Sequence, residues 1–253
     1  MLRLRHACAL TAFACSVWCA VACADTTETS FDATAALRAS QAVIGTRVGE
    51  HTLYDRSGRA FMLSSLRGRP LLVSFVYTGC SQVCPLSTKI LEKAVASAQR
   101  ALGSGRFTVL TIGFNLPYDS PAAMADFARR QGVALPDWEF ASPDAASVQR
   151  LTREFGFDYR ATTGGFDHIT QISIVDADGK IVRQVYGDEF DLPLLVEPLK
   201  QLLTGSPAEF SGLAQMIDKV RLVCTVYDPV SGQYRLSYAV LIEIASGISV
   251  FAA

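Results

Sequence analysis

The sequence predicts an α/β domain: a central mixed sheet flanked by helices, led by an N-terminal β-hairpin and followed by a C-terminal extension. Three observations carry this. Strand-like and helix-like patterns alternate through residues 45–205. Two strand-like runs, Leu71 to Tyr77 and Phe107 to Phe114, are nearly all apolar, as strands covered by helices on both faces should be. Half of the 253 residues are apolar and 19% are charged, which excludes a disordered chain and a nucleic-acid-coating one.

The elements follow in order. Thr52 to Asp55 and Ala60 to Leu63 flank Arg56-Ser-Gly-Arg59, which reads as a hairpin turning at Gly58. Pro70 opens the run Leu71 to Tyr77, the first central strand. Val83 to Leu102 is a helix pattern, with Leu86, Ile90, Leu91, Ala94, Val95 and Ala98 on one side and Gly103-Ser-Gly105 as its stop. Phe107 to Phe114 is the second buried strand. Asp119 or Ser120 can cap a helix from Pro121 to Gln131, with Gly132 after it. Ser142-Pro143 is expected to open another helix, to about Phe155. Ile169 to Val175 and Ile181 to Tyr186 are strands joined by Asp176-Ala-Asp-Gly179, and a last helix runs from Asp191 or Leu192 to Leu203. Parallel β-α-β crossovers come first and an antiparallel hairpin last. That is the order of a thioredoxin-like fold with an N-terminal hairpin and an inserted helix. The site expected on such a sheet is the loop after the first central strand, at the N-terminus of the next helix.

The two ends read differently. Residues 1–24 form a secretory leader or N-terminal anchor: Arg3, Arg5 and His6 give a basic start, Ala7 to Ala24 is apolar apart from Thr11 and Ser16, and Ala22-Cys23-Ala24 is an A-x-A site. The rivals are a lipobox, Ala20-Val-Ala-Cys23, with a lipid on Cys23, and an uncleaved anchor, for which the run is short. All three readings export the domain. Without the leader, 21 basic residues stand against 24 acidic ones, a net charge of -3, which argues against nucleic acid or other anions as partners. Residues 25–44 read as a linker, Thr-, Ala- and Ser-rich as far as Ser40 with little periodicity. Residues 206–253 form the extension. Its end, Tyr238 to Ala253, has twelve apolar residues in sixteen, broken by Glu243, Ser246, Gly247 and Ser249, and is expected to associate with a membrane.

The cysteines locate the chemistry. Four of the seven (Cys8, Cys15, Cys19, Cys23) fall in the leader, and Cys80, Cys84 and Cys224 are too few for a disulfide scaffold. Cys80 and Cys84 stand four apart in Thr78-Gly-Cys-Ser-Gln-Val-Cys-Pro85, at the predicted helix start. Residues i and i+4 share a helix face, and the positive N-terminal end of the dipole favours thiolates. Such a pair can form a disulfide or hold a soft metal. A five-residue loop gives little reason for a purely structural bridge. Besides His6 of the leader, the chain has His51, with nothing around it to suggest a ligand, and His168 in Gly164-Gly-Phe-Asp-His-Ile169, just before a core strand. On a thioredoxin-like fold that loop lies beside the first helix N-terminus. Two thiolates and one imidazole suit Cu(I) and tolerate Cu(II), whereas zinc more often takes a fourth ligand. Gly164-Gly165 would let the loop move, and Asp167 would be placed to steer the imidazole.

Val73-Ser-Phe-Val-Tyr-Thr-Gly-Cys-Ser-Gln-Val-Cys-Pro85, with Phe166-Asp-His-Ile169 and Ile174-Val-Asp-Ala-Asp-Gly-Lys-Ile181, resembles the SCO/SenC family over roughly residues 45–203. The resemblance implies a membrane-tethered, thioredoxin-like copper chaperone that helps assemble the binuclear copper site of cytochrome c oxidase. Cys80, Cys84 and His168 match the family's copper ligands. The implied partners are the copper-bearing oxidase subunit, an upstream periplasmic copper donor and a thiol reductant, with the domain on the periplasmic side of the inner membrane. Many members have Pro-Asp where this chain has Ser81-Gln82, and the acidic stretch after the second central strand appears as Asn115-Leu-Pro-Tyr-Asp119, one acid fewer, with consequences expected for partner docking. Some bacterial relatives end in an apolar anchor, as residues 206–253 do here. Cys224 reads as a buried inert thiol, with a role in redox or metal transfer as the alternative. Against the metallochaperone, which turns over no small substrate, stands a thiol-disulfide reductase that keeps the oxidase cysteines reduced. The two roles can coexist, because an oxidised pair cannot bind Cu(I). A peroxidase or a copper sensor is the third reading.

Overall fold

The computed structural model describes residues 30–187 and 191–205, and beyond them 221, 222, 224–229, 231–237, 239 and 242. The chain divides into Met1–Ser30 and Phe31–Ala253. The leader, and most of the apolar C-terminal end, lie outside the described residues. Among the described residues no helix is long and apolar enough to cross a membrane.

Along the chain run α1 (Ala33–Ala42), β1 (Thr52–Tyr54), β2 (Ala60–Met62), a 3-10 turn (Leu63–Leu66), β3 (Leu71–Val76), α2 (Val83–Leu102), β4 (Thr108–Gly113), α3 (Pro121–Gln131), β5 (Trp138–Pro143) and α4 (Val148–Glu154). Then come β6 (Tyr159–Thr162), β7 (Gly165–His168), β8 (Gln171–Val175), β9 (Ile181–Tyr186), α5 (Leu192–Gly205), β10 (Thr225–Asp228) and β11 (Gln233–Leu236). Seven strands make the central sheet in the order β2-β1-β5-β4-β3-β8-β9. β3, β4 and β5 are parallel, while β8 pairs antiparallel with both β3 and β9, and β1 with β5. The mixed sheet flanked by helices is the thioredoxin-like architecture that the sequence predicts.

Burial explains the central strands. Leu72 and Val76 of β3 face a cluster with Leu91 and Val95 of α2, Met124 and Phe127 of α3, and Leu195 and Leu199 of α5. Leu71, Val73 and Phe75 face the opposite cluster, with Leu110, Ile112, Leu151, Phe155 and Phe157. A strand with cores on both sides has no polar face to show, which is why β3 and β4 read as mainly apolar runs, with Ser74, Thr108 and Thr111 the exceptions. Both strands end at the same edge of the sheet. From that edge the chain enters the Tyr77–Gln82 loop before α2 and the Phe114–Asp119 loop before α3.

Several boundaries differ from the sequence reading. Residues 25–44 are not all linker, because Ala33–Ala42 is a helix whose N-cap Asp32 accepts a hydrogen bond from the Ala35 N–H. Its inner face is two small residues, Ala36 and Ser40, both fully buried, which leaves too weak a periodicity to read as a helix. Ser40 Oγ accepts a hydrogen bond from Tyr186 at 2.9 Å and lies against Gly156. Ser142-Pro143 does not open a helix. It closes β5, paired with β1, and the Asp144 carboxylate takes the Ala146 and Ser147 N–H groups in a turn, so α4 begins only at Val148. The hairpin β6–β7 was not expected at all, and it forms its own two-stranded sheet. His51 is buried, with Nε2 at 2.9 Å from Glu154 Oε2, an intra-domain brace in keeping with its reading as no ligand. In the extension, β10 and β11 form a hairpin held to α5. The Tyr234 hydroxyl donates to Glu197 at 2.8 Å, the Lys200 ammonium donates to the Thr225 carbonyl, and Leu222 is buried in the α2–α5 cluster. Cys224 is fully buried and free.

Gly156 tests the docking of α1. It has φ +61, and a Cβ there would stand 2.6 Å from Ser40 Cα and 2.8 Å from the Ala39 carbonyl. Gly156→Ala is expected to destabilise the chain by about 1–3 kcal/mol, the usual cost of overpacking. Urea unfolding would report this as a lower midpoint at unchanged slope.

Candidate metal centre

The site begins where β3 stops. Its buried backbone brings Tyr77 to the sheet edge, and Thr78 and Gly79 carry the chain over to Cys80. A helix start leaves four N–H groups without partners. At α2 no side chain caps them, and Gln82 at the cap position makes no such bond. Sulfur takes the part instead: the Cys84 N–H donates to Cys80 Sγ at 3.2 Å. Pro85, in the same first turn, has no N–H to satisfy. Both thiols therefore sit at the positive end of a twenty-residue helix.

Their environments differ. Cys84 is 2% exposed, inside the α2 cluster, whereas Cys80 is half-buried against it. Desolvation pushes the Cys80 thiol up. The Cys84 and Gln82 N–H groups, the Cys84 thiol and the Tyr77 hydroxyl outweigh it by hydrogen-bonding the sulfur, so the net direction is down. Cys84 goes the other way: burial raises its thiol, and the nearby negative charges of Cys80 and Asp119 raise it further. The Tyr77 hydroxyl, desolvated and bonded to Cys80, is pushed up to about 12 and stays protonated. One sulfur is thus the more easily ionised and lies near the surface, and the other is buried beside it with its thiol raised.

Asp119 braces this loop. It is fully buried, and its Oδ1 accepts from the Thr78 N–H and hydroxyl, each at 2.7 Å, while Oδ2 accepts from the Asn115 N–H at 2.8 Å. Burial pushes its carboxyl up and these bonds oppose the rise. The helix cap at α3 belongs to Ser120, which accepts from the Ala123 N–H. Asp119 is therefore no docking acid on the surface; it ties the loop after β4 to the loop after β3. Sequence reading missed this role, since nothing in Asn115-Leu-Pro-Tyr-Asp119 says that the carboxylate turns inward.

His168 ends β7, opposite Tyr159. Its ring packs near Phe157 and Phe114, with centroids 5.3 and 6.0 Å away, and Nδ1 lies 3.1 Å from the Ile169 carbonyl. That contact makes Nδ1 the donor and puts the lone pair on Nε2. Asp167 is exposed and faces Arg160 across the hairpin; the recorded Nδ1 partner is the carbonyl instead. The structure brings Cys80 and Cys84 into contact. It does not gather His168 with them into one cluster: among the described residues no three His, Cys, Asp or Glu side chains converge to hold an ion. His168 is joined to the cysteine loop through Phe166 and Phe114, both of which pack on Tyr77. The donor set of two sulfurs with an imidazole on a neighbouring hairpin fits a soft ion, provided the hairpin closes on the pair. The Ser81-Gln82 departure falls on the exposed tip of the loop, where backbone N–H groups rather than side chains hold the sulfur.

Comparison with known proteins agrees with this layout. The SCO1/SenC family model matches residues 40–204. The SCO1 protein homolog of Bacillus subtilis is 25% identical over 144 residues, 54% of this chain and 72% of that protein. A solved structure from Aquifex aeolicus superposes with a TM-score of 0.59 at 26% identity, covering 66% of this chain and 97% of that one. The copper-bound ScoI of Arabidopsis thaliana shares the fold, with a TM-score of 0.52 at 18% identity over 60% of this chain and 94% of its own. With the family matched across the whole sheet and the cysteine loop, the chain belongs to the SCO1/SenC family.

Proposed function

We propose that this protein is a copper metallochaperone that carries copper on Cys80, Cys84 and His168 to the binuclear copper site of cytochrome c oxidase during its assembly. Copper is its cargo. The observation that carries the reading is the pair of free cysteines at the N-terminus of α2, joined by the Cys84 N–H to Cys80 Sγ hydrogen bond, with the His168 hairpin packed beside their loop. Family membership and the copper-bound Arabidopsis relative support it. The carrier works from the outer side of the membrane, tethered by residues 1–24, by a lipid on Cys23 or by the apolar C-terminal end. Handover is ligand exchange: a thiolate of the acceptor displaces one sulfur at a time. The half-buried Cys80 is the side from which an acceptor reaches the ion, and the buried Cys84 is the last to let go.

The asymmetry of the two thiols also favours a thiol-disulfide reductase role. The Cys80 thiolate would attack a partner disulfide, forming a mixed disulfide and releasing one partner thiolate; Cys84, giving up its proton, would then attack the Cys80 sulfur and release the second, leaving the partner reduced and the pair oxidised. An external thiol reductant must then restore it before Cu(I) binds again.

The decisive experiment is copper titration of the reduced chain. It should bind one copper per chain; Cys80→Ser or Cys84→Ser should abolish binding, and His168→Ala should bind copper measurably more weakly. Unchanged binding in His168→Ala would sink the three-ligand site. The reductase role needs the cysteines alone, so disulfide reduction should survive His168→Ala and vanish in Cys80→Ser.

Alkylation reports the asymmetry. With the Cys80 thiol lowered, iodoacetamide should modify it at a half-maximal pH below the value of about 8.5 of a free cysteine. Cys84, raised and buried, should react only once the chain unfolds. Equal labelling of both, followed by mass spectrometry, would contradict the assignment.

A further inference from the structure

The hairpin that carries His168 stands outside the central sheet, and one phenol joins it to the cysteine loop. Tyr77 is the last residue before Thr78-Gly79-Cys80. Its ring packs edge-on against Phe166 of the hairpin, 5.1 Å away, and against Phe114, 5.8 Å away. Its hydroxyl occupies the space where the hairpin backbone comes nearest. A Cβ on Gly165 would lie 2.4 Å from Tyr77 Oη and 3.1 Å from Cζ, and Gly165 has φ +134, a backbone shape that side chains rarely adopt. The backbone and the phenol each exclude a side chain at this position. The Tyr77 carbonyl accepts from the Cys80 N–H at 3.1 Å, so the residue that meets the hairpin also holds the cysteine loop.

We infer that Tyr77 is a positioning residue: its hydroxyl sets how closely the His168 hairpin approaches Cys80, and thereby whether the imidazole joins the two sulfurs around one ion. The inference rests on the copper reading of this site. The competing account is that Tyr77 only fills the aromatic cluster, because Phe114, Phe157, Tyr159 and Phe166 pack on one another without any hydroxyl. Tyr77→Phe separates the two, since it keeps the ring and removes one oxygen.

The test is Cu(I) titration against a competing chelator on the reduced full chain, for the wild type, Tyr77→Phe, His168→Ala and the double variant. Amide hydrogen exchange of the copper-free chain accompanies it. Tyr77→Phe removes the atom that packs against the hairpin backbone at Gly165; losing one such buried contact corresponds to about five-fold, so copper binding should weaken by about that factor where His168 is present, with no further effect in His168→Ala. The Phe166 amide should exchange about five-fold faster, while the Phe157 amide, bonded to the Thr152 carbonyl at 2.8 Å, should not change. Gly165→Ala, which crowds the hydroxyl from the other side, should produce the same two losses with Tyr77 intact. Unchanged copper affinity in Tyr77→Phe, or an equal loss with and without His168, would overturn the inference. A wild-type chain that binds no copper would instead overturn the function proposed above. The Phe166 amide alone would then decide the tether: unchanged exchange in Tyr77→Phe would refute it.

Discussion

A single hydrogen bond, from the Cys84 N–H to Cys80 Sγ, is the contact on which the rest of the site depends. It exists because α2 starts with unpaired N–H groups and no side-chain oxygen to take them. Sulfur fills the role, and its charge is the form best matched to it. The bond fixes the two sulfurs near one another without a covalent bridge. It also opposes the desolvation that pushes the Cys80 thiol up. Cys84, one turn on and inside the core, has a backbone hydrogen bond from Tyr77 to set against burial, and burial wins, so its thiol is raised. A pair so arranged serves ligand exchange and thiol exchange alike, because both begin with an accessible thiolate and end on a protected sulfur.

Two buried polar groups hold that loop in place. Asp119 binds the Thr78 backbone and side chain and the Asn115 N–H, so the loops after β3 and β4 move as one. Tyr77 reaches the other way, toward the hairpin. The cysteines are thus fastened to the rigid sheet on one side and to a separate two-stranded sheet on the other. Such an arrangement keeps the cysteine loop preorganised while the imidazole stands on a hairpin outside the central sheet.

How much of this could be read from the sequence follows from what each pattern encodes. β3, β4 and α2 were legible because burial on two faces, or on one helical stripe, leaves a repeating mark. The cysteine pair was legible because four-residue spacing at a helix start has a direct geometric meaning. α1 was not, since its buried face is Ala36 and Ser40 and its partners, Gly156 and Tyr186, are more than 110 residues away. The hairpin β6–β7 was hidden by a polar, mostly exposed β6, Tyr159 to Thr162. Asp119 was misplaced because a carboxylate between two loops looks the same in sequence whether it faces water or the interior. Tyr77 reads in the sequence only as part of a motif; the signal that exposes it is Gly165, whose missing side chain makes room for the phenol.

The central claim is that two sulfurs and one imidazole hold the cargo. X-ray absorption at the copper edge of the Cu(I)-loaded full chain tests it most directly. The account predicts two sulfur neighbours at about 2.3 Å and one nitrogen at about 2.0 Å, distances typical of thiolate and imidazole ligands to a comparable ion. The nitrogen should disappear in His168→Ala. A sulfur-only shell, or a nitrogen that persists in that variant, would contradict it.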